Sequence, residues 1–151
     1  MKILIVCLGN ICRSPIAEGV LNHKIRRHGL SWEVASAGTN GYHTGEPPHE
    51  YSRKVCNRHG IDISSQRARR FTADALDRYD KIFVMASDVH RDVCRIAAGH
   101  PGLAKVDYFL NELHPGSNQE VPDPWYGDET GYLPVFEMIE RTCEAIIKKY
   151  Q

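Results

Sequence analysis

The sequence predicts an α/β fold: a four-stranded parallel sheet with helices on both faces and a functional loop between strand 1 and helix 1. Three observations carry this reading. Short β-branched apolar runs alternate with longer helical stretches, the pattern of right-handed βαβ crossovers. Glycine, asparagine or proline punctuates the run ends, as at Gly9-Asn10 and Gly38. At the end of the first run, "VCLGNICRSP" (6–15) packs two cysteines, an arginine and a serine into ten positions. In open sheets of this kind ligands sit beyond the carboxyl ends of the strands.

Taken in order, Lys2 to Cys7 reads as a buried strand. Ser14 then Pro15 reads as an N-cap followed by proline in the first helical position, where its missing N–H is harmless. That helix should run through Ala17, Leu21 and Ile25 and stop near Gly29. Trp32 to Ala37 is the second strand. After a Gly/Pro-rich loop, Glu50 to Arg58 forms a helix with Gly60 as its C-terminal cap. A short helix over Thr72 to Tyr79 leads into the third strand, Lys81 to Ala86. Asp88, an ordinary N-cap residue, opens a helix to Ala98. Lys105 to Leu110 is the fourth strand. A polar loop over 111–129, with Pro115, Pro122 and Pro124, precedes a last helix from Tyr132 to Lys149.

At 151 residues the chain fits a single domain, 1–151, with no internal repeat or linker. Its 42% hydrophobic and 25% charged residues are those of a soluble globular protein. Lysine plus arginine balances aspartate plus glutamate at 19 each, so no net field draws it to nucleic acid or an anionic membrane. No apolar run approaches a membrane span. Five widely spread cysteines without a Cys-x-x-Cys pair argue against a disulfide scaffold or structural zinc and favour a reducing cytoplasm. The eight histidines show no metal-ligand spacing, so neither metal nor organic cofactor is expected.

The opening loop is suited to an anion. Successive backbone N–H groups leading into a helix N-terminus form a nest, and the helix dipole adds to it. Arg13 offers a planar, permanently charged fork to two oxygens of a tetrahedral oxyanion. A Cys7 sulfur facing that concavity is stabilised as thiolate, and the Ser14 hydroxyl can donate to it. The combination is a phosphate-binding loop with a nucleophile beneath the phosphate. A bare Cys-x5-Arg spacing is common, and a strand-end cysteine is often a small buried hydrophobe; the strand–loop–helix setting is what favours chemistry. A nucleotide-binding loop would need a lysine followed by Ser or Thr, which this one lacks.

"CLGNICRSP" resembles the signature of low-molecular-weight protein tyrosine phosphatases, and "SAGT" (36–39), "RHGI" (58–61) and "DPWYG" (123–127) match further family pieces in order. The resemblance implies that Cys7 attacks phosphorus to form a cysteinyl-phosphate. It implies that Arg13 binds the phosphoryl oxygens, with the Leu8, Gly9, Asn10, Ile11, Cys12 and Ser14 N–H groups completing the cradle. Asn10 would hold the loop in shape, helped by Ser36, and Asp88 would serve a structural role. Cys12 matches a second loop cysteine able to protect the nucleophile as a disulfide. Asp123 would protonate the leaving phenolate and then deprotonate the attacking water; alone, Asp-Pro is a plain turn starter. Tyr42, Trp125 and Tyr126 would wall a pocket deep enough for phosphotyrosine. Two departures stand out: Gln66 and His49, where relatives often carry histidine and an acidic residue.

The resemblance further implies phosphotyrosine proteins as substrates, a tyrosine kinase as functional partner, and a monomer. Arsenate reduction on the same scaffold is the main alternative, but it relays a disulfide through two added cysteines near the third strand, where Cys94 stands alone. A non-catalytic phosphoprotein-binding module would need neither nucleophile nor proton donor.

Overall fold

A computed structural model describes residues 1–151. The four strands are β1 (Lys2–Cys7), β2 (Glu33–Gly38), β3 (Lys81–Val84) and β4 (Val106–Tyr108), all parallel, in the order β2-β1-β3-β4. The helices are α1 (Arg13–Arg27), α2 (Glu50–Asn57), α3 (Ala75–Arg78), α4 (Ser87–Ile96) and α5 (Tyr132–Tyr150).

The two-residue period of the strands divides the core. Ile3 and Ile5 of β1 and Phe83 of β3 pack with Ile16, Val20 and Leu21 of α1, Val55 of α2 and Phe136, Ile139 and Ile146 of α5. Leu4, Val6, Ile82 and Val84 point the other way, onto Ala75 and Leu76 of α3 and Val89 and Val93 of α4. Both faces are covered, which is why β1 reads as a continuous apolar run rather than an alternating one.

The chain leaves β1 for β2 on one side and returns to β3 on the other. The strand order therefore reverses at the carboxyl ends of β1 and β3, and the 7–13 loop opens there.

Several boundaries differ from the sequence reading, each for a physical reason. Helix α1 begins at Arg13, with Cys12 at the cap position and no side-chain cap. Ser14 lies inside the helix, and its hydroxyl turns back to the loop. Helix α4 begins at Ser87, so Asp88 is not its cap but a first-turn acid, favourable to the helix dipole. The capping contact comes from outside, where the Glu120 carboxylate accepts from the Ser87 N–H at 2.7 Å. Helix α2 ends at Asn57, with Arg58 rather than Gly60 at its cap position. Gly60, at φ +76°, makes the left-handed turn three residues later, where Ile61 N–H reaches back to Cys56. Strand β4 keeps three residues, because its expected ends close into 3-10 turns at Pro101–Lys105 and Phe109–Glu112.

Candidate active site

The 7–14 loop is held by one side chain above all. Asn10 takes the left-handed conformation, φ +58°, which asparagine tolerates better than most residues. Its Nδ2 donates to Ser14 Oγ at 2.8 Å and Ser36 Oγ at 2.9 Å, and its Oδ1 accepts from the Arg69 N–H at 2.9 Å. Ser36 then donates to Glu18 Oε1 at 2.7 Å. Gly38 permits the close approach of β2, since a Cβ there would stand 2.9 Å from the Leu8 carbonyl and 3.0 Å from Asn10.

This scaffold converges on Cys7, which is buried at the end of β1. Ser14 Oγ lies 2.9 Å from its sulfur and the Asn10 N–H 3.3 Å away. Ser14 already accepts from Asn10, so its own hydrogen is free to donate to sulfur. Two donors thus converge on one sulfur.

Arg13 is 4% exposed. One terminal nitrogen donates to the Val121 carbonyl at 2.9 Å, and the other meets the Asp123 carboxylate at 3.5 Å. The contact joins the loop to the 120–131 segment, which is otherwise tied to the core by the Val121 N–H on the Met85 carbonyl at 2.8 Å. Asp123 Oδ1 accepts from the Trp125 N–H at 3.1 Å, so the Asp-Pro turn orients the carboxylate.

Cys7, Leu8, Gly9, Ile11, Cys12, Arg13, Tyr42, Asp123, Trp125 and Tyr126 all line one pocket of about 310 Å³. The volume suits a small ligand with one ring. The side chains of Asn10 and Ser14 lie behind this wall, bonded to each other, where they shape the loop and Ser14 reaches the sulfur. Only the Asn10 N–H, expected in the phosphate cradle, points at sulfur instead. Ser36 sits deeper still, under Asn10. Asp88 is outside the loop's support and lines a neighbouring cleft with Leu8, Arg13, Glu120 and Asp123.

The remaining wall residues escaped the sequence reading. Asn40 and His43 line the pocket; the His43 ring lies 5.7 Å from that of Trp125, its Nδ1 held by Glu46 at 2.8 Å. His49 stacks on Tyr132 at 5.7 Å and meets Trp125 edge-on at 5.3 Å. Desolvation holds the His49 pKa below its ordinary value, so the neutral ring is favoured in this aromatic nest. Glu18, anchor of the hydrogen-bond chain, was also missed; a lone carboxylate on the inward stretch of α1 was its only signal.

The second loop cysteine sits in a different environment from the first. Burial pushes the Cys12 thiol up to about 12, assisted by the nearby Cys7 and Asp123 charges and opposed by its contact with the Tyr132 hydroxyl at 3.5 Å. The neutral thiol is therefore its resting form, which makes it a poor nucleophile beside Cys7. Gln66 donates to the Pro15 carbonyl at 3.1 Å and leaves its own Oε1 buried without a partner.

Comparison with known proteins gives this arrangement its context. The family model described as low molecular weight phosphotyrosine protein phosphatase matches residues 2–151. The chain belongs to that family. The human low molecular weight phosphotyrosine protein phosphatase is 34% identical over 150 residues, covering 98% of this chain and 94% of the human one. A Bacillus subtilis low molecular weight protein-tyrosine-phosphatase, YfkJ, is 33% identical over 154 residues, covering 100% and 96%. A crystal structure of a protein tyrosine phosphatase from Entamoeba histolytica, with Hepes in the active site, superposes with a TM-score of 0.90 at 34% identity, covering 99% of this chain and 96% of that one. The chain is accordingly an enzyme of the low-molecular-weight protein tyrosine phosphatase class, acting on phosphotyrosine. That reading is favoured over arsenate reduction and over a non-catalytic binding module.

Proposed function

We propose that this phosphatase works by double displacement, with Cys7, Arg13 and Asp123 as its catalytic residues. The Cys7 sulfur attacks phosphorus and forms the S–P bond as the P–O bond to the tyrosine phenol breaks. Asp123, protonated, gives its proton to the departing oxygen. A water then attacks phosphorus while Asp123 takes its proton, and the S–P bond breaks to release phosphate. Arg13 and the loop N–H groups bind the equatorial oxygens throughout, where charge accumulates in the transition state. The observation that carries this reading is the convergence of two donors on Cys7 in a pocket that also holds Arg13 and Asp123.

The substrate ring would lie between Tyr42, Trp125 and Tyr126, with His43 closing the wall. The phosphatase would act alone as a single-domain monomer, opposing a tyrosine kinase. Five free cysteines suit a reducing cytoplasm. No helix is long and apolar enough to cross a membrane.

The test is hydrolysis of an aryl phosphate in excess chelator by the parent and by Cys7→Ser. The expected result is metal-independent turnover with an acidic optimum in the parent, and none in the variant, which still binds inorganic phosphate. Activity lost to chelator, or surviving Cys7→Ser, would overturn the mechanism. Gel filtration and cell fractionation test the monomer and its location.

A further inference from the structure

The geometry points to Arg70 as a specificity-determining residue that favours phosphotyrosine flanked by an acidic residue; the inference rests on the phosphatase reading of the pocket.

The backbone of Arg70 is fixed against the end of β2. Gly38 N–H donates to the Arg69 carbonyl at 2.9 Å, and the Phe71 N–H donates to the Gly38 carbonyl at 2.7 Å, so Arg70 is clamped between them. From there its side chain runs along the rim. A methyl group added at Gly41 would stand 3.7 Å from Arg70 Cδ and 3.9 Å from a guanidinium nitrogen. Gly41 separates Asn40 from Tyr42, two residues that line the pocket, and Tyr42 is 86% exposed. The guanidinium therefore lies beside Gly41, one residue from two that line the pocket, with its charge in solvent. Arg70 itself lines a separate small cleft with Arg69, Arg78 and Tyr79, outside the pocket wall and within reach of a peptide flank rather than of the phosphate.

Arg70 differs from the other cations near the site in having no acceptor. Arg13 meets Asp123, His43 meets Glu46, and Arg58 meets Glu129. Arg69 bonds the Ser36 carbonyl and the Tyr79 hydroxyl, Arg67 two carbonyls of its own turn, and Arg53 the Pro48 carbonyl. Arg70 takes part in no ion pair or side-chain hydrogen bond, and is exposed.

The cleft that adjoins the pocket at Tyr126 has the reverse sign. Glu120 and Asp88, which line it with Asp123 and Tyr126, are exposed and paired with no cation. A peptide entering with its phosphate in the loop thus meets a positive edge on the Tyr42 side and a negative edge on the Tyr126 side. An Asp or Glu next to the phosphotyrosine is attracted to the first and repelled by the second, which sets the direction of the peptide as well as its preference.

The experiment compares kcat/KM for phosphotyrosine peptides whose neighbouring residue on either side is Glu, Ala or Lys, in the parent, Arg70→Ala and Arg70→Glu. An aryl phosphate serves as the substrate with no flank. In the parent the Glu peptide should exceed the Ala peptide by about threefold, the size of one exposed charge pair, from one flank only. The ratio should fall to about one in Arg70→Ala, invert in Arg70→Glu, and narrow in high salt. An enzyme that turns over the aryl phosphate but shows no Glu preference, or keeps it in Arg70→Glu, overturns the proposal alone. Failure on the aryl phosphate as well overturns the phosphatase reading, and the proposal with it.

Discussion

The two halves of the pocket are built on opposite plans. The 7–14 loop is buried and over-determined: Asn10 alone is tied by its side chain to α1, to β2 and to the Arg69 backbone. The 120–131 segment is anchored at Val121 and again at the buried Tyr132, but between them Asp123 relies on a local turn and a 3.5 Å contact with Arg13. Trp125 is 46% and Tyr126 79% exposed. The difference follows the chemistry proposed for each. Oxyanion stabilisation needs donors fixed before charge develops, whereas the proton donor and ring wall must admit a substrate attached to a protein. Rigidity is placed where charge is to be stabilised, and exposure where the substrate enters.

The strongest way to break this contrast is Arg13→Lys. It keeps the charge but replaces a fork that bonds two oxygens, and Val121 behind it, with a point donor. We expect kcat to fall by ~10²–10³, the scale of one oxyanion donor, in a variant that stays folded. Turnover near the parent's would make the arginine structural. On the opposite wall, Asp123→Asn should slow phosphoenzyme formation by on the order of 10² with phosphotyrosine and less with an activated aryl phosphate. Single-turnover rates across leaving groups check this: the Asn variant should depend more steeply on leaving-group basicity. Equal slopes would remove Asp123 as the acid.

The contrast also predicts unequal stability losses. Asn10→Ala leaves a β-carbon in the left-handed region without the polar side chain that makes asparagine tolerable there, and strands the Arg69 N–H, so it should cost about 2–4 kcal/mol in urea unfolding. Asn10→Gly removes the backbone strain and keeps the lost bonds, so the difference between the two variants isolates the strain, ~1–2 kcal/mol. Trp125→Ala, on the exposed side, should cost under about 1 kcal/mol while raising KM for aryl phosphates. Comparable losses on both sides would erase the distinction.

How far all this was legible in the sequence follows the same division. The strands and the Cys7–Arg13 loop were readable because apolar period and turn residues are local signals, and so was their place at the sheet's reversal. Ser14 was read as a helix cap because capping is the default of a Ser-Pro pair. Its contact with Cys7 was expected, but the Asn10 amide that fixes the hydroxyl reaches it through a left-handed turn that no periodicity reports. Asp88 was misread for a related reason, since the cap of α4 arrives from Glu120, 33 residues away. His43 and Asn40 were not identified as site lining because they occupy an irregular loop brought to the pocket only by tertiary contacts, and His49 reaches the back of Trp125 in the same way.

The smallest effect concerns the far end of the hydrogen-bond chain and asks what the rigid side requires. Glu18 is mostly buried beneath Ser36, and desolvation raises its pKa above the ordinary glutamate value despite the opposing pull of Ser36 and Arg69. In the window between the unfolded and the raised folded pKa, the native state binds more protons than the unfolded chain. By linkage, stability then falls as pH rises through that window and is regained on acidification. The cradle is thus supported by a carboxylate whose charge weakens the fold at neutral pH. Glu18→Gln still accepts from Ser36 through its carbonyl oxygen but cannot ionise. Urea unfolding of both proteins from about pH 4 to pH 7 should show the variant gaining on the parent as pH rises, with kcat for aryl phosphates close to the parent's. Parallel stability profiles would show that the carboxylate's charge carries no such penalty, and a variant that lost ground with rising pH would show that the ionised form is what holds Ser36 and Asn10 in place.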